Sequence, residues 1–210
     1  MGKIIYYFGD DRSKLYINII DKYECTNNCK FCDKIKLEKV IKNNLFLQNK
    51  PGVQETLDLI GKEIKKNQQL KEIIFCGIGE PTVYLNTLLK IIKELKKKYK
   101  IPIRLNTNGQ AYLINSERNV PKELKDAGLD IISISLNSMT KEDYNKLHNP
   151  KNPEESFDSI LNFIKHCDEV ELETYVSFIE FTEFNKKEAL NFIKTLGLSS
   201  NQVKFRKYIE

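Results

Sequence analysis

The sequence predicts an α/β protein in which parallel strands and helices alternate around an open barrel. Two observations predict this fold: short β-rich runs alternate with amphipathic helical stretches, and the strand candidates each carry one polar face. Six strands that alternate with helices imply parallel pairing through right-handed crossovers. The strand candidates are residues 15–20, 72–76, 101–106, 130–136, 172–178 and 202–208, and the helix candidates lie near residues 53–67, 85–98, 119–127, 154–166 and 186–196.

The helix candidates have the periodicity and the end signals of surface helices. Gly128 and Gly197 stand where helix C-terminal caps would fall, just before the next strand. The stretch 85–98 carries one apolar stripe at helical spacing, formed by Leu85, Leu88, Leu89, Ile92 and Leu95.

The polar strand faces decide between a flat sheet and a barrel. A sheet that helices cover on both sides has strands of continuous aliphatic residues. Here one face is persistently polar, which indicates an inner wall that lines a cavity. The predicted fold is therefore a partial (β/α)6 TIM-like barrel, one domain over residues 1–210, with its chemistry at the C-terminal strand ends. The inward-facing sets are Ser133, Ser135 and Asn137; Arg104, Asn106 and Asn108; Glu173, Tyr175 and Ser177; and Lys204 and Arg206.

Composition and charge exclude several classes of protein. Hydrophobic residues make up 40% and charged residues 30% of the 210 residues, and the net charge is +5. The lysines are dispersed, which favours solvated helix faces over a nucleic-acid groove. No apolar run approaches the roughly 20 residues that cross a bilayer, and the N-terminus lacks a signal-peptide pattern. We therefore expect a cytoplasmic protein without a membrane segment.

Three cysteines lie within eight residues, directly after the first strand candidate. Their spacing is Cys25-x3-Cys29-x2-Cys32, in a chain with five cysteines. Three thiolates can hold three irons of a [4Fe-4S] cube and leave the fourth iron open. A structural zinc site is the alternative, but it needs a fourth ligand, normally from a second close pair, and the remaining Cys and His residues are scattered singly. Cys76 and Cys167 are interpreted as buried apolar thiols. His148 is predicted to face solvent.

Four motifs in order resemble those of the radical S-adenosylmethionine (SAM) superfamily. The CxxxCxxC motif has Phe31 before its third cysteine, and a GGEP-like turn appears as Gly77-Ile78-Gly79-Glu80-Pro81, with Ile78 as a departure. Thr107-Asn108-Gly109 and Ser135-Leu136-Asn137-Ser138 correspond to the TNG and SLDS-like signatures, the latter with Asn for Asp. Taken singly, the last three motifs are also ordinary turn or cap signals.

The resemblance implies an enzyme that uses a [4Fe-4S] cluster and SAM. The reduced cluster would cleave SAM to methionine and a 5′-deoxyadenosyl radical, which abstracts hydrogen from a substrate. The metal ligands would be Cys25, Cys29 and Cys32. The residues implied for SAM binding are Phe31, Gly77, Gly79, Glu80, Asn108, Ser135 and Asn137.

The opening LYINI and CTNNCKFC segments are most similar to the short TatD-associated radical SAM group. No cysteine follows Cys167, so we expect no auxiliary-cluster domain. The chain ends just after the sixth strand, so we expect a wide barrel mouth that suits a macromolecular substrate or a second subunit. The candidates for substrate contacts are Glu173, Tyr175, Lys204 and Arg206, although an inward ion pair between Glu173 and Arg206 is an equally good structural explanation.

Several partners and functions stay open at this point. The substrate could be a protein, a nucleotide or RNA, or a small molecule of cofactor or nucleoside biosynthesis. The expected partners are a one-electron donor of the flavodoxin or ferredoxin type and, from the subgroup, a TatD-family hydrolase. The alternative function is a non-catalytic iron–sulfur binding or sensing module on the same fold.

Overall fold

The computed structural model describes residues 2–32, 44–181 and 184–208. The described strands form one sheet whose order follows the chain. The first strand pairs antiparallel with the second, and the other neighbouring pairs are parallel. The strands are β1 (Ile5–Tyr6), β2 (Lys14–Ile17), β3 (Glu72–Phe75), β4 (Ile103–Thr107), β5 (Ile131–Ser135), β6 (Glu173–Glu180) and β7 (Val203–Lys207).

Helices follow the parallel strands. They are α1 (Val53–Lys66), α2 (Leu85–Lys98), α3 (Ala111–Ile114), α4 (Val120–Ala127), α5 (Lys141–His148), α6 (Ser156–Glu169) and α7 (Lys186–Thr195), with short 3-10 turns at Pro81–Tyr84 and Ser200–Gln202. Over the described ranges, every helix is too short or too polar to cross a lipid bilayer.

The six predicted parallel strands and five predicted helices are confirmed, with three additions. The edge strand β1 and the short helices α3 and α5 were not among the predicted elements. The first predicted strand ends at Ile17 instead of Ile20 because the Asn18 side chain takes over the backbone pairing there. Its Oδ1 accepts the Ile20 N–H at 3.1 Å, and its Nδ2 donates to the Leu45 carbonyl at 2.8 Å.

The core lies between the outer face of the sheet and the helices. Alternate strand residues are fully buried there, among them Leu15, Ile17, Ile73, Phe75, Leu105, Ile132, Ile134, Val176 and Phe178. From α2, Ile91 joins the predicted stripe, whereas Leu89 is only partly buried. Burying one such aliphatic side chain stabilises the fold by about 1.5–3 kcal/mol.

The inner face of the sheet is polar, as predicted. Arg104 on β4 pairs with Glu72 on β3 at 3.2 Å, and Arg206 on β7 reaches across to β5 and β6. Helices cover only the outside, so the strand ends open onto a cavity. The partial-barrel prediction is confirmed.

Candidate active site

A cavity of about 920 Å³ opens at the C-terminal ends of the parallel strands. Ten of the residues predicted to bind the cluster, SAM or substrate line it, and they come from the loops after β2, β3 and β4 and from strands β5 and β7. They are Cys25, Cys29, Phe31, Cys32, Gly77, Gly79, Glu80, Asn108, Ser135 and Arg206. The topology therefore brings together residues as far apart in the sequence as Cys25 and Arg206.

The cysteine loop is held by backbone hydrogen bonds to two other loops. The Glu80 N–H donates to the Glu24 carbonyl at 2.9 Å, which ties the loop to the turn after β3. The Asn28 N–H donates to the His148 carbonyl at 3.0 Å, and the Lys151 N–H donates to the Thr26 carbonyl at 2.9 Å. The loop from Glu24 to Asn28 is thus fixed between the β3 turn and the end of α5.

The three thiols share one electrostatic environment. Cys25 Sγ accepts hydrogen bonds from the Asn27 N–H at 3.4 Å and from Asn108 Nδ2 at 3.5 Å. Burial and the nearby Glu80 charge raise the pKa of Cys25 to about 11, and burial together with the Cys25 and Cys32 charges raises the pKa of Cys29. Bound iron carries positive charge and takes thiolate ligands, so it would replace these protons and relieve the repulsion between the sulfurs. This donor set fits an iron–sulfur cluster.

In the described ranges, no three Cys, His, Asp or Glu side chains lie together as ligands of one metal ion. The cysteines are free thiols that share the cavity wall.

The glycine turn after β3 allows the cysteine loop to approach closely. A Cβ on Gly77 would lie 2.3 Å from Asn18 Oδ1, and a Cβ on Gly79 would lie 2.6 Å from the Glu24 carbonyl oxygen. Gly79 also has a φ of +137°, which side-chain-bearing residues rarely adopt. Ile78, which departs from the family motif, is 4% exposed and packs with Tyr6 and Leu45. The Ile78 side chain therefore contributes to packing at the position between the two glycines.

Glu80 is the most heavily bonded carboxylate of the site and is 1% exposed. Its Oε1 accepts from the Thr82 N–H at 3.0 Å and from the Thr82 and Thr107 hydroxyls at 2.8 Å each. Its Oε2 accepts from the Asn108 N–H at 2.6 Å. Burial raises the pKa of Glu80, and these hydrogen bonds oppose that shift. The carboxylate joins the β3 turn to the end of β4.

Asn108 and Asn137 are both held by the protein, in different places. Asn108 Nδ2 donates to Thr26 Oγ1 at 2.9 Å, and its Oδ1 accepts the Gln110 N–H at 2.9 Å, at the cavity wall. Asn137 is 4% exposed, and its Oδ1 accepts the Ile179 N–H at 3.0 Å. The structure places Asn137 behind the cavity wall, outside the residues that line it.

The four candidates for substrate contacts separate into two groups. Arg206 lines the cavity and donates through Nη2 to Ser177 Oγ at 3.0 Å and to Ser135 Oγ at 3.3 Å. Tyr175 lies outside the cavity lining and donates its hydroxyl to Glu173 at 2.6 Å, and Lys204 Nζ lies 4.2 Å from the centroid of the Tyr175 ring. The hydrogen bonds of the described residues thus couple Glu173 to Tyr175 and Arg206 to serines.

Sequence reasoning did not place two residues, His148 and Cys76, in the site. His148 is 1% exposed rather than solvent-facing, and its Nδ1 lies 3.2 Å from Cys29 Sγ. Burial lowers the pKa of His148 to about 4. Cys76 lines the cavity and faces the Asn106 side chain, whereas Cys167 is fully buried as expected. For Cys76, the alternation of side chains along β3 could have predicted this position, because it places Cys76 on the inner face with Ile74.

Comparisons with known proteins agree with the fold and the motifs. The uncharacterized protein MJ0804 of Methanocaldococcus jannaschii is 31% identical over 200 residues, which are 89% of this chain and 65% of that protein. The GTP 3′,8-cyclase of Aliarcobacter butzleri is 26% identical over 203 residues, which are 94% of this chain and 57% of that protein. The chain therefore spans between about half and two thirds of the length of these relatives.

Among solved structures, native anSMEcpe with bound AdoMet superimposes with a TM-score of 0.67 over 93% of this chain and 52% of that chain. The sequence identity is 16%, so this likeness shows the fold alone. The family model described as the radical SAM superfamily matches residues 19–196, which include the cysteine motif and strands β3 to β6. The chain belongs to the radical SAM superfamily.

Proposed function

We propose that this protein is a radical SAM enzyme that holds a [4Fe-4S] cluster on Cys25, Cys29 and Cys32. The observation that carries the proposal is that these three thiols and the glycine turn after β3 line one cavity of about 920 Å³. When bound, the cluster and SAM supply a 5′-deoxyadenosyl radical that abstracts hydrogen from the substrate, and the protein positions and shields the reactants.

The SAM contacts follow from what each lining residue can offer. The turn at Gly77 and Gly79 presents backbone groups without side chains in the way, which suits the methionine ammonium together with Glu80. Phe31 offers an aromatic ring for the adenine, and Asn108 and Ser135 offer polar groups for the ribose and carboxylate. The Asn137 amide is bonded to the β6 backbone behind the cavity wall, so its role would be to support the residues that contact SAM.

The test is SAM cleavage by the anaerobically reconstituted protein. The wild type, reduced with dithionite, is expected to produce 5′-deoxyadenosine from SAM. A variant with Cys25→Ala, Cys29→Ala and Cys32→Ala should produce none. Cys167→Ala is the matched control, because this thiol is fully buried in α6 away from the cavity and should leave cleavage unchanged.

Two outcomes would contradict the enzymatic function. If folded wild type assembles a cluster but never cleaves SAM, the iron–sulfur sensing module becomes the better interpretation. If the triple variant cleaves SAM as well as the wild type, the cysteines are not the cluster ligands.

We propose further that the substrate presents an anionic group, for which phosphate is the best fit, to Arg206. Among the described residues, Arg206 donates to the Ser135 and Ser177 hydroxyls and forms no ion pair with a carboxylate. Lys151 and Lys207 add positive charge to the cavity lining. A guanidinium that faces a cavity with only serine partners is suited to bidentate recognition of phosphate or carboxylate.

A nucleotide is consistent with this charge and with the name of the GTP 3′,8-cyclase relative, whose chain is longer. Inorganic pyrophosphate serves as the probe, because it carries the anionic group alone. It is expected to bind wild type in a calorimetric titration and to bind Arg206→Gln at least tenfold more weakly, with SAM affinity unchanged. Unchanged pyrophosphate affinity with weakened SAM binding would assign Arg206 to the SAM carboxylate instead.

The finer assignments are proposals on narrower grounds. The LYINI and CTNNCKFC segments support membership of the TatD-associated group and, through it, a TatD-family hydrolase as partner. A flavodoxin or ferredoxin would supply the electron. A reducing cytoplasm suits a chain whose described cysteines are all free thiols.

A further inference from the structure

The His148 ring lies beside the cysteine loop and packs against two aromatic rings. It stacks on Tyr144 with ring centroids 4.3 Å apart and planes 18° apart, and it meets Phe31 edge-on at 5.3 Å. Tyr144 is itself held, since its hydroxyl accepts hydrogen bonds from Gln110 Nε2 at 2.7 Å and from Asn27 Nδ2 at 3.2 Å. The imidazole therefore cannot turn away without breaking several contacts.

The two ring nitrogens face different partners. Nδ1 lies 3.2 Å from Cys29 Sγ. Nε2 lies 3.2 Å from the Leu136 carbonyl oxygen and 3.4 Å from Asn137 Nδ2. One neutral tautomer donates from Nε2 to the Leu136 carbonyl and accepts a hydrogen bond from the Cys29 thiol at Nδ1. The other donates from Nδ1 to the sulfur and accepts from Asn137 at Nε2.

The orientation of the Asn137 amide makes the second tautomer available. Its Oδ1 accepts the Ile179 N–H at 3.0 Å, so its Nδ2 is the atom directed at His148. Asn137 has a φ of +56°, a left-handed conformation that costs free energy in a residue with a side chain, although least for Asn. The fold therefore holds a buried amide donor against the ring, in a strained backbone position.

We propose that His148 is a positioning residue for the cluster, donating a hydrogen bond from Nδ1 to the thiolate of Cys29. This inference rests on the proposed cluster on the three cysteines. Once Cys29 binds iron, its sulfur has no proton and can only accept a hydrogen bond, so the ring takes the tautomer with its proton on Nδ1, and Nε2 accepts a hydrogen bond from Asn137 Nδ2. The ring remains neutral throughout, which suits its burial.

A hydrogen bond to a cluster sulfur stabilises the reduced, more negative cluster and raises its reduction potential. The test compares cluster potentials in His148→Phe, which keeps a ring between Tyr144 and Phe31 without a donor, and His148→Asn, whose amide N–H can replace Nδ1. His166→Phe is the matched control, because His166 bonds to Tyr112 outside the cavity. Each protein is first checked for cluster content by iron and sulfide analysis.

We expect His148→Phe to show about a tenfold smaller reduced-to-oxidised ratio at a fixed potential, which is about 59 mV for a one-electron couple. His148→Asn and His166→Phe should stay within twofold of wild type. An unchanged potential in cluster-loaded His148→Phe would overturn the proposal.

A second measurement does not depend on the folding of the His148 variants. The chain has two histidines, so ¹⁵N-histidine labelling of His166→Phe labels His148 alone. Pulsed electron paramagnetic resonance of the reduced cluster should then detect a ¹⁵N coupling, and its absence would overturn the inference. Failure of the wild type to assemble any cluster would instead overturn the proposed function, and this inference with it.

Discussion

Replacing Glu80 by Gln tests how the buried carboxylate is held between the β3 turn and β4. Its four partners, from Thr82, Thr107 and Asn108, are all donors, which favours the ionised form. Gln preserves the shape but turns one acceptor oxygen into an NH₂ group. If the amide oxygen takes the position with three donors, the NH₂ group meets the Asn108 N–H, whose 2.6 Å bond is lost.

The expected cost follows from that single replacement. A hydrogen bond to a charged group contributes about 1.5–3 kcal/mol, and a buried donor without an acceptor costs about 1–3 kcal/mol. These two effects overlap, so we expect the free energy of unfolding to fall by about 3 kcal/mol. For a chain of 210 residues this corresponds to a Tm lower by about 6–12 °C.

The assay is urea denaturation of the cluster-free protein at neutral pH, with Glu169→Gln as control on the exposed surface of α6. The control should change the free energy of unfolding by less than about 0.5 kcal/mol. Gln is also a mimic of protonated Glu. A loss below about 1 kcal/mol in Glu80→Gln would therefore show that burial keeps Glu80 protonated, and the argument from its donors would be refuted.

Two further predictions concern stability. Gly79→Ala should lower the free energy of unfolding by at least about 2 kcal/mol, because its Cβ would meet the Glu24 carbonyl and its φ is +137°. The control Gly9→Ala, with a φ of +62° and open space around the Cβ, should lower it by about 1 kcal/mol. Equal losses for the two variants in urea denaturation would contradict this reasoning. Burial lowers the pKa of His148 from 6.5 to about 4, so the unfolded chain binds its proton first as pH falls. Cluster-free wild type should lose about 3 kcal/mol between pH 7 and pH 4 from this group, whereas His148→Phe should lack this loss, so the difference between the two pH curves should show it.

Local patterns were sufficient for the parts of the fold that depend on periodicity. Alternating residues such as Ser133 and Ile134 revealed which strand face is polar, since the pleat sends neighbours to opposite sides. The spacing of Cys25, Cys29 and Cys32 indicated the candidate metal ligands, because all three lie in one loop. The six parallel strands then placed these residues and Asn108 at the same end of the sheet.

The parts that sequence reasoning missed depend on contacts between distant segments. His148 precedes a turn at Asn149 and Pro150, which by itself indicates a surface position. It is buried because the cysteine loop folds over the end of α5, and the Asn28 N–H bonds to the His148 carbonyl. Similarly, β1 is only two residues long and exists because β2 offers a free edge.

The backbone bonds that hold residues 24–28 to the β3 turn and to the end of α5 have a consequence for the life of the cofactor. These bonds join peptide groups and do not involve iron. We therefore expect the loop to be ordered before metal arrives, unlike a zinc finger, whose folding depends on its ion. We expect that the chain can lose a damaged cluster and accept a new one while its core stays intact, so that repair requires a supply of iron and sulfide but no new polypeptide.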